Sequence, residues 1–352
     1  MKSKILVVGS SLKDMGGIVT VIRNMEQSNL TESYELTRVE TYITGSVMAR
    51  LYIFIIGLFR YLYQLLWHRP DIVHIHMSNG GSFYRKSILV MIGKIVRMPI
   101  ILHIHAASFD DFYNHNRFQK RYCQFILNRV DLVVVLSQEW KNYFSTIVPN
   151  RKIEILYNGV FKMEEHISRS NSTPTCLFLG RLGERKGTYD LLLAIKNLKE
   201  KGVQSKFLLA GDGEITEVKQ LIREYHIEDR VEVLGWISVE DKEELLRKVD
   251  MLVLPSYNEG LPMAILEAMN FSLPVISTYV GGIPELIKHG ENGYLIAPGD
   301  IEGLIQSLEL LIHDQNTIVT MGEKNRTLIH TQFDINMLMN ELSHMYQRLI
   351  LK

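Results

Sequence analysis

Two carboxylates, Glu259 and Glu267, stand in the stretch P-S-Y-N-E-G-L-P-M-A-I-L-E-A-M of residues 255–269. The apolar run before it, residues 251–254, reads as a buried strand. The chain then turns through Glu259-Gly260 and enters a helix with Pro262 in its first turn, where proline's missing N–H costs little. Glu259 falls in the loop and Glu267 inside the helix. N–H groups at a helix start beside a glycine suit a phosphate. Carboxylates next to such a site suit hydroxyls, and a nucleotide sugar carries both kinds of group. Read plainly, the same stretch is a strand–loop–helix corner with two surface glutamates, so the other loops must decide.

Several of them point the same way. Residues 180–187 read G-R-L-G-E-R-K-G directly after an expected strand. Arg181 and Lys186 would project from that strand's carboxyl end, where ligands bind in open α/β sheets. Arginine grips phosphate oxygens as a fork and lysine acts as a point charge. Gly16-Gly17 follow the first strand and open a helix. Their spacing is not G-x-G-x-x-G, so the dinucleotide fingerprint is absent. Gly211-Asp212-Gly213, Gly235-Trp236 and Gly281-Gly282 each follow a strand as well. Singly they are ordinary turns; together at one sheet edge they form a rim.

His74, His76, His103 and His105 make two H-x-H pairs, and residues two apart on a strand share a face. A metal site would want supporting carboxylates or cysteines, which the neighbouring sequence lacks, so no metal is expected. His74 and His103 read as core histidines. His105 lies nearest its strand's carboxyl end and is expected to face a cleft.

The elements that position these residues alternate. Strand signals lie at residues 5–8, 72–76, 100–105, 132–136 and 153–156, with helical patterns near 19–27, 49–67, 83–96, 117–128 and 140–146. Near-continuous apolar strands fit a parallel sheet covered on both faces. A polar stretch at 164–174 reads as a linker. Alternation restarts with strands at 176–179, 206–210, 231–234, 251–254, 274–277 and 293–296. Helices are expected near 189–201, 216–225, 239–249, 262–269, 284–287 and 301–312, and a last one near 335–351. The fold class is therefore α/β, two doubly wound Rossmann-like domains with an interdomain cleft. The expected boundaries are 1–165, 172–332 and a terminal helix, 333–352, packing back on the first domain.

The 352 residues balance 39 basic against 39 acidic side chains. Residues 1–165 nevertheless carry 20 basic and 13 acidic groups, and the remainder 19 and 26. The basic half favours an anionic surface or a phosphorylated ligand. Two distant cysteines give no disulfide framework, and a reducing cytoplasm fits. Residues 51–67, L-Y-I-F-I-I-G-L-F-R-Y-L-Y-Q-L-L-W, are short for a span and interrupted by Arg60. They suit a packing helix or an interfacial helix, and a helix with one membrane-facing side is expected.

Taken together, Gly16-Gly17, His105, the G-R-L-x-x-x-K-G run, G-D-G at Gly211 and E-G-L-P-x-x-x-x-E resemble the retaining family-four glycosyltransferases of the GT-B fold, over nearly the whole chain and in order. D-I-V-H-I-H at 71–76 and S-F-x-R-K at 82–86 are similar to bacterial capsular and exopolysaccharide enzymes. The resemblance implies a nucleotide-diphosphate sugar donor in the second domain and a lipid-linked or oligosaccharide acceptor on the first. It implies that Arg181 and Lys186 hold the diphosphate, Glu267 the ribose hydroxyls, and that Glu259 and His105 lie by the sugar. Gly16, Gly17, Gly211, Gly213, Gly260 and Leu261 would border the donor. His76, Arg85 and Lys86 would meet the acceptor. Ala106 stands where many members have glycine, which leaves His103 and His105 open as the sugar-side histidine. The family uses no divalent ion, and no D-x-D stands at a strand end here. The expected location is cytoplasmic, on the inner membrane face, with an anionic membrane surface as partner and no nucleic acid. A nucleotide-sugar epimerase of similar fold and a non-catalytic nucleotide-sugar-binding partner are the alternatives.

Overall fold

The computed structural model describes residues 2–165, 167 and 173–351. The expected linker falls partly outside these residues. The chain divides into two compact units, Met1–Phe161 with Asp334–Lys352, and Lys162–Phe333.

The first unit holds strands β1 (Ser3–Gly9), β2 (Tyr34–Glu40), β3 (Ile72–Met77), β4 (Ile100–Ile104), β5 (Leu132–Val135) and β6 (Ile153–Ile155). Its helices are α1 (Gly17–Gln27), α2 (Leu30–Ser33), α3 (Val47–Tyr63), α4 (Gly81–Ile95), α5 (Phe109–Asn114), α6 (Arg117–Leu127) and α7 (Gln138–Ser145). All strand pairs are parallel, in the order β2-β1-β3-β4-β5-β6. Winding reverses between β1 and β3, so their carboxyl ends open a crevice, the usual ligand position in such sheets. The strand pleat sends Leu6, Val8, Val73 and Ile75 into one core and Ile5, Val7, Ile72 and Ile101 into another. β2 was not among the expected strands.

Helix α3 begins at Ser46, whose hydroxyl accepts from Ala49 N at 3.2 Å, and runs on through a π turn at Gln64–His68. It is longer than residues 51–67. At 22 residues, Val47–His68 is the one helix among the described residues long and apolar enough to cross a membrane. Only Gly57, Tyr61 and Leu65 are buried. Val47, Met48, Leu51, Tyr52, Ile55, Phe59, Tyr63, Leu66 and Trp67 are exposed.

The second unit holds β7 (Thr175–Leu179), β8 (Lys206–Ala210), β9 (Val231–Gly235), β10 (Met251–Leu254), β11 (Val275–Thr278) and β12 (Gly293–Ile296). Between and after them lie α8 (Thr188–Glu200), α9 (Ile215–Glu224), α10 (Val239–Lys248), α11 (Met263–Asn270), α12 (Ile283–Leu286), α13 (Ile301–His313) and α14 (Gln315–Gln332). The order β12-β11-β10-β7-β8-β9 puts β7 beside β10, although β8 and β9 intervene in sequence. The reversal point of this sheet is thus between β7 and β10. Pro262 caps α11 rather than lying in its first turn, with φ −72° and ψ 123°. Helix α14 was not foreseen.

The last helix, α15 (Ile335–Ile350), belongs to the first unit. Leu338, Met339, Leu342, Met345, Tyr346 and Leu349 join the core that holds Ile5, Val7 and Ile101. Val160 pairs with Asp334, and Ile335 N donates to Val160 O at 2.9 Å.

Candidate active site

In the second unit the loops after β7, β8, β10 and β11 interlock at the carboxyl edge of the sheet. Gly211 has φ +153°, and a Cβ there would lie 1.8 Å from Gly180 O. Gly187, at φ +69°, would put a Cβ 2.0 Å from Pro255 O. These two positions accept only glycine, because both the backbone angle and the contact exclude a side chain. Gly282 N donates to Gly260 O at 2.7 Å, and Tyr257 N to Arg185 O at 2.9 Å.

The reversal point brings Lys186 and Glu259 together. Lys186 Nζ donates to Glu259 Oε1, which also accepts from Ser256 Oγ at 2.8 Å. Glu259 is 5% exposed, so the pair lies in a poorly hydrated place where charges act strongly. Arg181 pairs with Asp212 Oδ2 at 3.2 Å and stays exposed. Gly213 follows Asp212 and bridges Leu182, which holds the two loops together. Gly260 and Leu261 connect Glu259 to α11.

Glu267 takes a partner that spacing gave no sign of. Lys242, on α10, donates to its Oε1 at 2.6 Å. Burial raises the Glu267 carboxyl above the usual range, and Lys242 opposes this. Arg181, Lys186, Gly211, Gly213, Glu259, Gly260 and Leu261 thus gather at one sheet edge, with Glu267 on the helix behind.

In the first unit Gly16, at φ +114°, and Gly17 open α1 after β1. The four histidines share one face, with His76 opposite His103. His74 Nδ1 meets Tyr346 Oη at 2.6 Å, and His74 Nε2 meets His103 Nδ1 at 3.3 Å. His76 Nδ1 meets His105 Nε2 at 2.9 Å. Ligand nitrogens of His74, His76 and His103 lie within 4.8 Å of one another. Their rings, however, stack: 15° separates the planes of His74 and His76, and 19° those of His74 and His103. The His76 and His103 rings are tilted by 33°, and the Nε2 atoms of both are buried without a hydrogen-bond partner.

His76 is 1% exposed, and its Nδ1 holds the His105 ring. Burial, and then the charge of Lys86, lowers His105 to about 3, so its ring is neutral at neutral pH. Lys86 is itself 2% exposed, and burial with Arg85 nearby lowers it to about 7. Arg85 lies 4.8 Å from the centre of the Tyr42 ring.

Two parallel, doubly wound sheets, each reversing its winding once, are the architecture of the GT-B class. The family model "Glycosyltransferase Family 4" matches residues 6–161, and "Glycosyl transferases group 1" matches 162–328. The chain belongs to this glycosyltransferase family. It is 30% identical over 291 residues to the N-acetyl-alpha-D-glucosaminyl L-malate synthase of Bacillus anthracis, covering 78% of this chain and 74% of that one. It is 28% identical to the putative colanic acid biosynthesis glycosyltransferase WcaL of Escherichia coli, over 80% of this chain and 71% of the other. Anabaena HepE, solved in complex with UDP and glucose, has the same fold (TM-score 0.76, 19% identity, 98% of this chain and 99% of that one).

Proposed function

We propose that this enzyme moves a sugar from a nucleotide-diphosphate donor to a lipid-linked or oligosaccharide acceptor in bacterial surface polysaccharide synthesis, with retention and without a metal ion. The observation that carries the donor half is the Lys186–Glu259 pair at the β7/β10 reversal. Breaking the bond between sugar and phosphate leaves negative charge on the diphosphate. Lys186 and Arg181 stabilise that charge as it develops, which is the condition for lowering a barrier. Glu267 takes the ribose hydroxyls, Glu259 borders the transferred sugar, and His105 serves the sugar side as a neutral ring. The name of the colanic acid relative supports a polysaccharide setting. The basic first half and the exposed face of α3 support peripheral attachment to the inner membrane face.

A thermal-shift panel of UDP, GDP and ADP sugars tests the reading, since a ligand that binds the native state stabilises it by mass action. One nucleotide class is expected to raise the melting temperature, and nucleotide release is expected to speed up when acceptor is added. No stabilisation by any of the three refutes the donor assignment. Release of free nucleotide with an epimerised sugar as the product selects the epimerase.

A further inference from the structure

Of the four stacked histidines, His105 differs from the rest. His74, His76 and His103 are buried, and His105 is half-buried. Both nitrogens of His74 are engaged, by Tyr346 and by His103. His103 has its Nδ1 on His74, and its Nε2 is buried without a partner. His105 is bonded through Nε2, to His76 Nδ1 at 2.9 Å. Among the described residues its Nδ1 is neither bonded nor sealed off, so this is the nitrogen of the group left for a ligand. It offers either a proton or a lone pair, and which one decides what it can hold.

The choice is made at His76. A neutral imidazole carries one N–H, and the bond that one nitrogen makes sets the state of the other. If His76 Nδ1 carries the proton, it donates to His105 Nε2, and His105 must carry its own proton on Nδ1. If His105 Nε2 carries it instead, His76 is left with an N–H at its Nε2. That atom is buried without a partner. The cavity beside it is about 10 Å³, room for one water, and Val21, Met25, Leu156 and Leu342 are among its walls. An orphaned buried N–H is rarer in native structures than an orphaned acceptor. The Lys86 ammonium is also close enough to act on both His76 and His105. Near an unpaired nitrogen a cation favours a lone pair over an N–H. Both observations select the first arrangement.

We propose that His76 is a positioning residue that holds His105 as an Nδ1–H donor, so that His105 gives a hydrogen bond to an oxygen of the transferred sugar and takes no proton from it. The role at the sugar rests on the glycosyltransferase reading above; the tautomer rests on the first unit alone. The backbone supports the pair, because His105 N donates to Met77 O at 2.7 Å and ties the end of β4 to that of β3. The sugar oxygen that meets His105 is then an acceptor, a hydroxyl or an amide carbonyl. An imidazole that can only donate orients a sugar and is of no use as a general base.

The test is nitrogen NMR of the full chain labelled at histidine, which tells a protonated ring nitrogen from a bare one. The signals that vanish in His105→Gln and in His76→Phe identify the two rings. Wild-type His105 is expected to be protonated at Nδ1 and bare at Nε2; a proton on Nε2 overturns the proposal. His76→Phe keeps an aromatic ring in the stack and removes the donor. In that variant His105 is expected to move its proton to Nε2, and kcat/KM to fall roughly tenfold, about the worth of one hydrogen bond. An Nδ1 proton that stays in place there means that another group sets the tautomer, which overturns the role of His76. If His76→Phe does not fold, the wild-type spectrum still decides, because one further histidine must then show its proton on Nδ1 with a bond to the bare His105 Nε2. Wild-type kcat/KM in His105→Gln overturns the sugar-side reading and with it the donated hydrogen bond, while the spectrum judges the tautomer independently.

Discussion

Lys186 and Glu259 neutralise each other, so in the proposed mechanism a diphosphate at Lys186 draws the ammonium away from a carboxylate. That competition favours the more highly charged leaving group over the bound donor, which is how a fixed cation speeds a reaction. Lys186→Ala and Arg181→Ala are each expected to lower turnover by about two to three orders of magnitude. Near-wild-type turnover in both variants would sink the diphosphate assignment. Activity is also expected to survive strong chelation, since the proposed mechanism gives these two cations the metal's role; loss in chelator, restored by magnesium or manganese, would refute it. The loop residues were legible because each motif directly follows an apolar strand. Their partners were not. Lys242 reaches Glu267 from another helix, and Asp212 reaches Arg181 from a neighbouring loop. No local spacing announces either pair.

At the level of elements, the strands β3 and β4 bury three neutral imidazoles, His74, His76 and His103. Burial pulls His74 down to about 3 and the other two well below the usual histidine range. An unfolded chain binds protons at these sites near pH 6.5, while the folded one does not until far lower. Stability is therefore complete above about pH 6.5 and is lost as the pH falls, by about 1.4 kcal/mol per pH unit for each such group. Urea midpoints at pH 7 and pH 5 should differ strongly; equal midpoints would contradict neutral buried rings. Helix α3 gives a second prediction. The protein should co-sediment with anionic vesicles at low salt and less so at high salt, each basic group near the surface adding about 1 kcal/mol. Indifference to anionic vesicles, or equal binding to neutral ones, removes the electrostatic part. The two longest elements that escaped sequence reading did so for physical reasons. β2 is an edge strand, Y-E-L-T-R-V-E, whose charges break the apolar run that marks central strands. α14 buries Gly322 and Asn325 on its packed face, which blurs its period. Asn325 is needed there because its Nδ2 donates to Leu273 O at 2.7 Å and Asn292 O at 2.8 Å. A Cβ at Gly322 would lie 2.1 Å from Ser272 O.

On the scale of the whole molecule, two sheets of different strand order divide the chain, and both were readable as parallel because their central strands are apolar on both faces. The first unit, however, is finished only by α15, which lies beyond the second unit in sequence. Each large apolar side chain that α15 buries contributes about 1.5–3 kcal/mol, and Tyr346 also gives His74 its hydrogen-bond partner. A chain ending at Phe333 should therefore show weak hydrogen-exchange protection across residues 2–161 while residues 173–333 stay protected. Native-like protection in both would refute this. During translation the ribosome makes residues 162–333 before it makes α15, so the newborn amino-terminal half must wait with one face of its sheet covered only in part, by α1 and α2. The order of completion therefore runs opposite to the order of synthesis.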